Sequence, residues 1–215
     1  MGIFGEKWLA HEDKLAFRWR ERVAENDLVI IAGDISWAMR ESEAHPDFAF
    51  LRTLPGIKIL LRGNHDYWWS TRRRVERLAG NGFFVLQNNA LAFPGVTIVG
   101  TRGWELPQTG HFQDEQDESI YRRELTRLRL SLEAGRQWGQ PLFAALHYPP
   151  LLQHREQTDI TALLEEYHVS VCVYGHLHGQ AHSARVEGEI RGVSYHLVAS
   201  DFLDFEPLHI DFPAI

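Results

Sequence analysis

The chain has 215 residues and a formal net charge of −7, a length that suits one domain with a sizeable core, expected over 1–215. The negative balance argues against a general nucleic-acid or anionic-membrane binder, but leaves phosphorylated substrates open, because a bound cation supplies local positive charge. Cys172 is the only cysteine, so no internal disulfide is available, and no run approaches the ~20 apolar residues of a membrane span.

Met1 to Arg20 lacks the apolar core of a signal peptide, which points to the cytoplasm. Glu6 to Ala24 reads as an amphipathic helix, with Trp8, Leu15, Trp19 and Val23 on one face; His11 on it reads as packed or solvated. Asn26-Asp27 turns the chain into a strand, Leu28 to Ala32. A helix around Glu41 to Leu54 tolerates Pro46 only near its first turn, and Pro55-Gly56 stops it. Ile57 to Leu61 is the next strand. A helix then runs from just after Trp69 to about Leu78. Its Arg72, Arg73, Arg74 and Arg77 read as a solvated face rather than a phosphate site. Phe83 to Leu86, Leu91 to Phe93 and Val96 to Gly100 read as strands of a meander, with turns at Asn88-Asn89 and Pro94-Gly95.

Thr101 to Asp117 is a long irregular stretch that includes Trp104 and His111; loops of this length are commonly functional or mobile. A long helix is expected from about Glu118 to Gln137, with Ile120, Leu125, Leu128 and Leu132 on one face. Then come a strand Leu142 to Leu146, a helix from about Thr158 to Tyr167, and a strand Val169 to Tyr174, in which Cys172 reads as a small buried hydrophobe. Ala181 to Ser200 reads as a hairpin turning near Gly188, and Leu208 to Asp211 as a last short strand.

Four of these apolar runs end alike. Leu28 to Ala32 is followed by Gly33-Asp34, Ile57 to Leu61 closely by Gly63-Asn64-His65-Asp66, Leu142 to Leu146 by His147, and Val169 to Tyr174 by Gly175-His176-Leu177-His178-Gly179. In α/β sheets the carboxyl ends of strands are where sites are built. Gly-Asn-His-Asp alone is also an ordinary turn sequence; the four blocks together point to metal chemistry. Asp34 is a carboxylate able to bridge two cations, neutral imidazoles bind Mn, Fe, Zn or Ni, and Asn64 adds an oxygen without charge. Asp34, Asn64, His147, His176 and His178 are thus the candidate metal ligands. His45, His154, His168, His182, His196 and His209 read as structural. There is no Gly-x-Ser-x-Gly and no P-loop, so neither a serine nucleophile nor ATP-driven chemistry is supported.

Gly-Asp, Gly-Asn-His-Asp, a lone His after a strand and Gly-His-x-His, in that order, resemble the calcineurin-like metallophosphoesterases from about Asp27 to the C-terminus. The resemblance implies an α+β fold of two packed mixed β-sheets flanked by helices. It implies two divalent ions (Mn, Fe, Zn or Ni), Asp34 bridging both, Asn64, His147 and His176 completing one site, and His178 serving the other. His65 would be the catalytic acid or transition-state donor and Asp66 would hold its ring. The implied activity is hydrolysis of a phosphate mono- or diester by a metal-bound hydroxide, with the phosphate ester as partner and no nucleic acid or membrane.

The family opens with a strand ending in Asp-x-His, and nothing before Asp34 matches it. The resemblance therefore implies that the first strand is missing. A slot about one strand wide (~4.8 Å) is expected beside Leu28 to Ala32, with a second metal site short of ligands. The alternative is a catalytically weakened protein that keeps one metal and binds a phosphorylated ligand or partner.

Overall fold

The computed structural model describes residues 5–110, 112–154 and 156–212. His111 lies outside them. The elements are α1 (His11–Arg22), β1 (Leu28–Ile31), α2 (His45–Arg52), β2 (Ile57–Leu61), α3 (Arg72–Ala79), β3 (Phe83–Leu86), β4 (Leu91–Phe93), β5 (Val96–Thr101), α4 (Asp114–Arg136), β6 (Leu142–Leu146), α5 (Asp159–Glu166), β7 (Val169–Tyr174), β8 (Gly188–Ile190) and β9 (Val193–Leu197). Among the described residues, no helix is long and apolar enough to cross a membrane.

Two sheets stack face to face. One is three-stranded, in the order β1-β2-β3, and parallel throughout. The other is six-stranded and mixed, in the order β4-β5-β6-β7-β9-β8, with β5, β6, β7 and β9 parallel. Side chains alternate across each strand, so Ile59 and Leu61 point inward to meet Ile98, Phe143, Ala145 and Val173 from the other sheet. The outward residues, Leu60 and Val85, carry a second core with Trp19 of α1, Phe48 of α2 and Val75 of α3. Ala144, Leu146 and Cys172 carry a third with Leu128 and Leu132 of α4 and Leu163 of α5. The result is a four-layer helix–sheet–sheet–helix stack, in which every central strand is covered on both faces. That coverage is why β6 reads as a continuous apolar run and why β2 and β7 are apolar but for Lys58 and Ser170.

Several local expectations change. The first helix is not continuous. Trp8 belongs to a short 3-10 turn, Glu6–Trp8, and α1 starts only after Ala10, which takes a left-handed φ of 51°. Trp8 leaves the helical face to pack edge-on against His178 and Phe205. Residues 83–100 are not a meander: β3 pairs in parallel with β2, while β4 and β5 form a hairpin in the other sheet. The Asn88-Asn89 segment carries the chain from one sheet to the next, and no local pattern distinguishes such a crossing from a hairpin turn. α4 begins at Asp114, which shortens the irregular stretch. The late hairpin turns at Arg191-Gly192, both with positive φ (49° and 80°), as a tight two-residue turn requires, and not at Gly188. Leu208 to Asp211 forms no strand; Ile210 instead packs on the inter-sheet core. The arginines of α3 face solvent, Arg72 against Glu76 and Arg74 against Glu41.

Beside Leu28 to Ala32, where a slot is expected, lies an open cavity. Among the described residues β1 is an edge strand, paired with β2 alone. A cavity of about 820 Å³ opens next to it, lined by Trp19, Val29, Ile31, Phe143, Val173 and Phe212 among others, and its rim reaches Asp34, His65, His147, His176 and His178.

Candidate metal centre

The parallel strands β1, β2, β6 and β7 bring their carboxyl ends to one end of the sandwich. There His147, just past β6, meets the loops after β1 and β2 from the opposite sheet. Its Nδ1 lies 2.7 Å from the Ala32 carbonyl oxygen. A carbonyl only accepts, so Nδ1 carries the hydrogen and Nε2 keeps the lone pair. That Nε2 is 2.7 Å from Asn64 Oδ1 and 3.6 Å from Asp34 Oδ2. Asn64 Oδ1 is also 3.0 Å from His176 Nδ1. Burial pushes the His147 pKa down from its usual 6.5 to about 4; Asp34 pulls the other way and His176 and His178 add to the fall. The ring is therefore neutral at neutral pH, as a metal ligand must be.

Two imidazole nitrogens, an amide oxygen and a carboxylate oxygen thus converge with separations of roughly 3 Å, the spacing that ~2.0–2.2 Å metal–ligand bonds impose on neighbouring ligands. The donor set fits Mn, Fe, Zn or Ni.

Two glycines permit the approach. A Cβ on Gly63 would lie 2.0 Å from Asp34 Oδ1 and 2.2 Å from its backbone nitrogen. A Cβ on Gly33 would lie 2.5 Å from His147 Nδ1, and Gly33 has a φ of 97°. Asp34 and His176 themselves hold left-handed φ values of 54° and 71°, uncommon for residues with a side chain. Backbone strain of this kind clusters at functional sites.

Asp66 is buried and does not hold the His65 ring. Its oxygens accept N–H bonds from Gly63 (2.7 Å), Asp34 (2.9 Å), Ile35 (2.9 Å) and Ser36 (3.1 Å), and from Trp68 Nε1 (3.1 Å). Burial pushes its pKa up to about 6; the bonds from Gly63, Ser36 and Trp68 pull down and the Asp34 charge adds to the rise. Asp66 therefore builds the site loops. The His65 ring stacks on Trp37 instead (4.8 Å, 23°), with Tyr67 Oη 3.4 Å from Nδ1. Its backbone N–H donates to Asp34 Oδ1 at 2.9 Å.

His178 stands slightly apart. It shares the cavity rim with Asp34, His147 and His176, but its ring is tied to Asp201, Nδ1 to Oδ1 at 2.7 Å. Asp201, His178 and His182 bring one potential ligand atom each within 4.8 Å of one another. Burial would raise the Asp201 pKa, but the bonds from His178 and Gly179 and the nearby His182 hold it well below the usual carboxylate range. Sequence reading missed Asp201 and Glu105, whose Oε1 is 3.6 Å from His176 Nε2. Asp201 was within reach, since it follows the apolar strand β9 as Asp34 follows β1. Glu105 sits in an irregular loop with no such signal.

The family described as calcineurin-like phosphoesterase matches residues 8–180 of this chain. Among solved structures, the chain is similar to TT1561 of Thermus thermophilus, with a TM-score of 0.54 and 12% identity over 79% of this chain and 77% of that one. At that identity the likeness speaks for the fold. No curated protein matches the sequence significantly.

Proposed function

The chain belongs to the calcineurin-like phosphoesterases, a family of metal-dependent hydrolases, and on that premise we propose that it hydrolyses a phosphate mono- or diester at the carboxyl ends of β1, β2, β6 and β7. One observation carries this reading: His147 Nε2 and His176 Nδ1 both close on Asn64 Oδ1, at 2.7 and 3.0 Å, with Asp34 Oδ2 3.6 Å from the first. Asp34, Asn64, His147 and His176 would hold one divalent ion, and Asp34 with His178 would contribute to a second. Bound divalent ions supply the positive charge and Lewis acidity that phosphoryl transfer needs. His65, stacked on Trp37 at the rim, would donate a proton to the leaving oxygen, a role worth about 10²–10⁴ in rate.

A second reading rests on the separate anchoring of His178. Four candidate ligands form one set, while His178 is held by Asp201, so a single-ion protein that binds a phosphorylated ligand is the alternative. Metal analysis after Mn²⁺ loading separates the two. Two ions per chain, with Mn²⁺-dependent turnover of an aryl phosphate or bis-aryl phosphate, support the enzyme. One ion with no turnover of either supports the binder.

A further inference from the structure

His147 and His176 each turn one nitrogen to Asn64 Oδ1 and have a fixed group near the other, and His178, on the same cavity rim, has a fixed group at Nδ1. For His147 that group is the Ala32 carbonyl, and for His176 it is Glu105, at a looser 3.6 Å. Only His178 has a carboxylate in direct hydrogen-bond contact. Asp201 is 3% exposed, four residues past the end of β9. Its Oδ1 takes His178 Nδ1 at 2.7 Å, its Oδ2 accepts the Gly179 backbone N–H at 2.9 Å, and His182 Nε2 lies 3.2 Å from the same Oδ2. A carboxylate accepts, so His178 Nδ1 is the donor and Nε2 keeps the lone pair.

We propose that Asp201 is a positioning residue for His178, fixing its ring as the Nδ1–H tautomer so that Nε2 is presented to a divalent cation. The proposal rests on the metal-dependent reading above. In this geometry Asp201 already takes the His178 Nδ1 hydrogen on Oδ1 and the Gly179 N–H on Oδ2, so it faces His178 as a hydrogen-bond acceptor. A carboxylate behind an imidazole fixes the tautomer and raises the basicity of the ligating nitrogen, and losing such a partner typically lowers metal affinity by about 10–100-fold. Gly179 extends the same logic to the backbone, since Asp201 grips the ring of His178 and the peptide that follows it, locking both ends of one residue.

The test uses the whole chain with Zn²⁺ as a diamagnetic probe. In the ion-free wild type, long-range ¹H–¹⁵N spectra of labelled histidines are expected to show His178 protonated at Nδ1, and Zn²⁺ to shift Nε2 while Nδ1 keeps its hydrogen. In Asp201→Asn, the fixed tautomer should be lost and one class of Zn²⁺ site weakened by about 10–100-fold, the other being unchanged. Because the tautomer is read in the wild type, a variant that fails to fold does not leave the question open. An Nε2–H tautomer in the wild type, loss of the Nδ1 hydrogen on Zn²⁺ loading, or full Zn²⁺ affinity in folded Asp201→Asn would each overturn the assignment. A wild type that takes up no divalent cation would instead defeat the metal-dependent reading; the ion-free spectrum would still report on the Asp201–His178 contact.

Discussion

Asp34 and Asp66 clasp each other's loops. Asp66 Oδ2 accepts the backbone N–H of Asp34 at 2.9 Å, and Asp34 Oδ1 accepts the backbone N–H of His65, the residue before Asp66, at 2.9 Å. Each carboxylate is thus a structural cap for the segment that carries the other. Asp66→Ala would leave five N–H donors without their acceptor. At about 1–3 kcal/mol for each donor that stays buried and unmatched, partly relieved by water, the expected loss is about 3 kcal/mol or more. Urea unfolding measures it. A loss below about 1 kcal/mol would mean that the clasp contributes little.

The close approach of the loops makes Gly63 nearly irreplaceable. Its missing side chain is the space that Asp34 occupies, since an added Cβ would sit 2.0 Å from Asp34 Oδ1. Gly63→Ala is expected to push Asp34 away from Asn64 and His147 and to reduce Mn²⁺ uptake at least tenfold. Equilibrium dialysis reads this, and unchanged uptake would show that Asp34 does not hold the ion.

Ligand and acid should separate kinetically. In Mn²⁺-loaded protein, His176→Ala is expected to lose metal and turnover together. His65→Ala should keep its metal and lose about 10²–10⁴ in kcat on an ester with a poor leaving group. Full turnover by His65→Ala on such an ester would remove its assigned role.

Two buried groups pull the acid stability of the ion-free protein in opposite directions. The His147 pKa is depressed on folding to about 4, so the unfolded chain takes up that proton first and stability falls as pH drops from about 6.5 toward about 4. The Asp66 pKa is raised to about 6, so the folded state takes up that proton first and stability rises as pH drops from about 6 toward about 4. The stability gap between wild type and His147→Gln should therefore narrow on acidification, while the gap to Asp66→Asn should widen. Urea midpoints at pH 7 and pH 4.5 test both signs.

Much of the scaffold could be read directly. β2, β6 and β7 are apolar runs covered on both faces, so their positions and their polar ends stood out together, and His147, Asn64 and His176 followed from them. Contacts set by tertiary packing stayed hidden. The family resemblance implied that Asp66 would hold the His65 ring. In the fold Asp66 accepts four backbone amides and the Trp68 indole, because the loops after β1 and β2 approach closely at Gly63. The exchange of sheets between β3 and β4 was hidden because both sides of the Asn88-Asn89 turn are short apolar strands of the kind a hairpin would also use. Trp8 fitted a helical stripe, yet its ring is used against His178 and Phe205.

Asp34 hangs from β1, an edge strand that among the described residues has a neighbour on one side only. Its partners hang from β2, β6 and β7, each of which has two. The candidate ligand set is thus anchored to an edge strand and to three interior strands at once. A divalent ion that joins them acts as a rivet through the edge, adding RT ln(1 + [ion]/Kd) to the folded state and suppressing the local opening that an edge strand otherwise undergoes. Amide hydrogens of Val29 to Asp34 should exchange quickly in ion-free protein and slow together as Mn²⁺ is added, with β6 changing little. The same ion that would serve the chemistry would then also set how long the edge of the sheet stays closed.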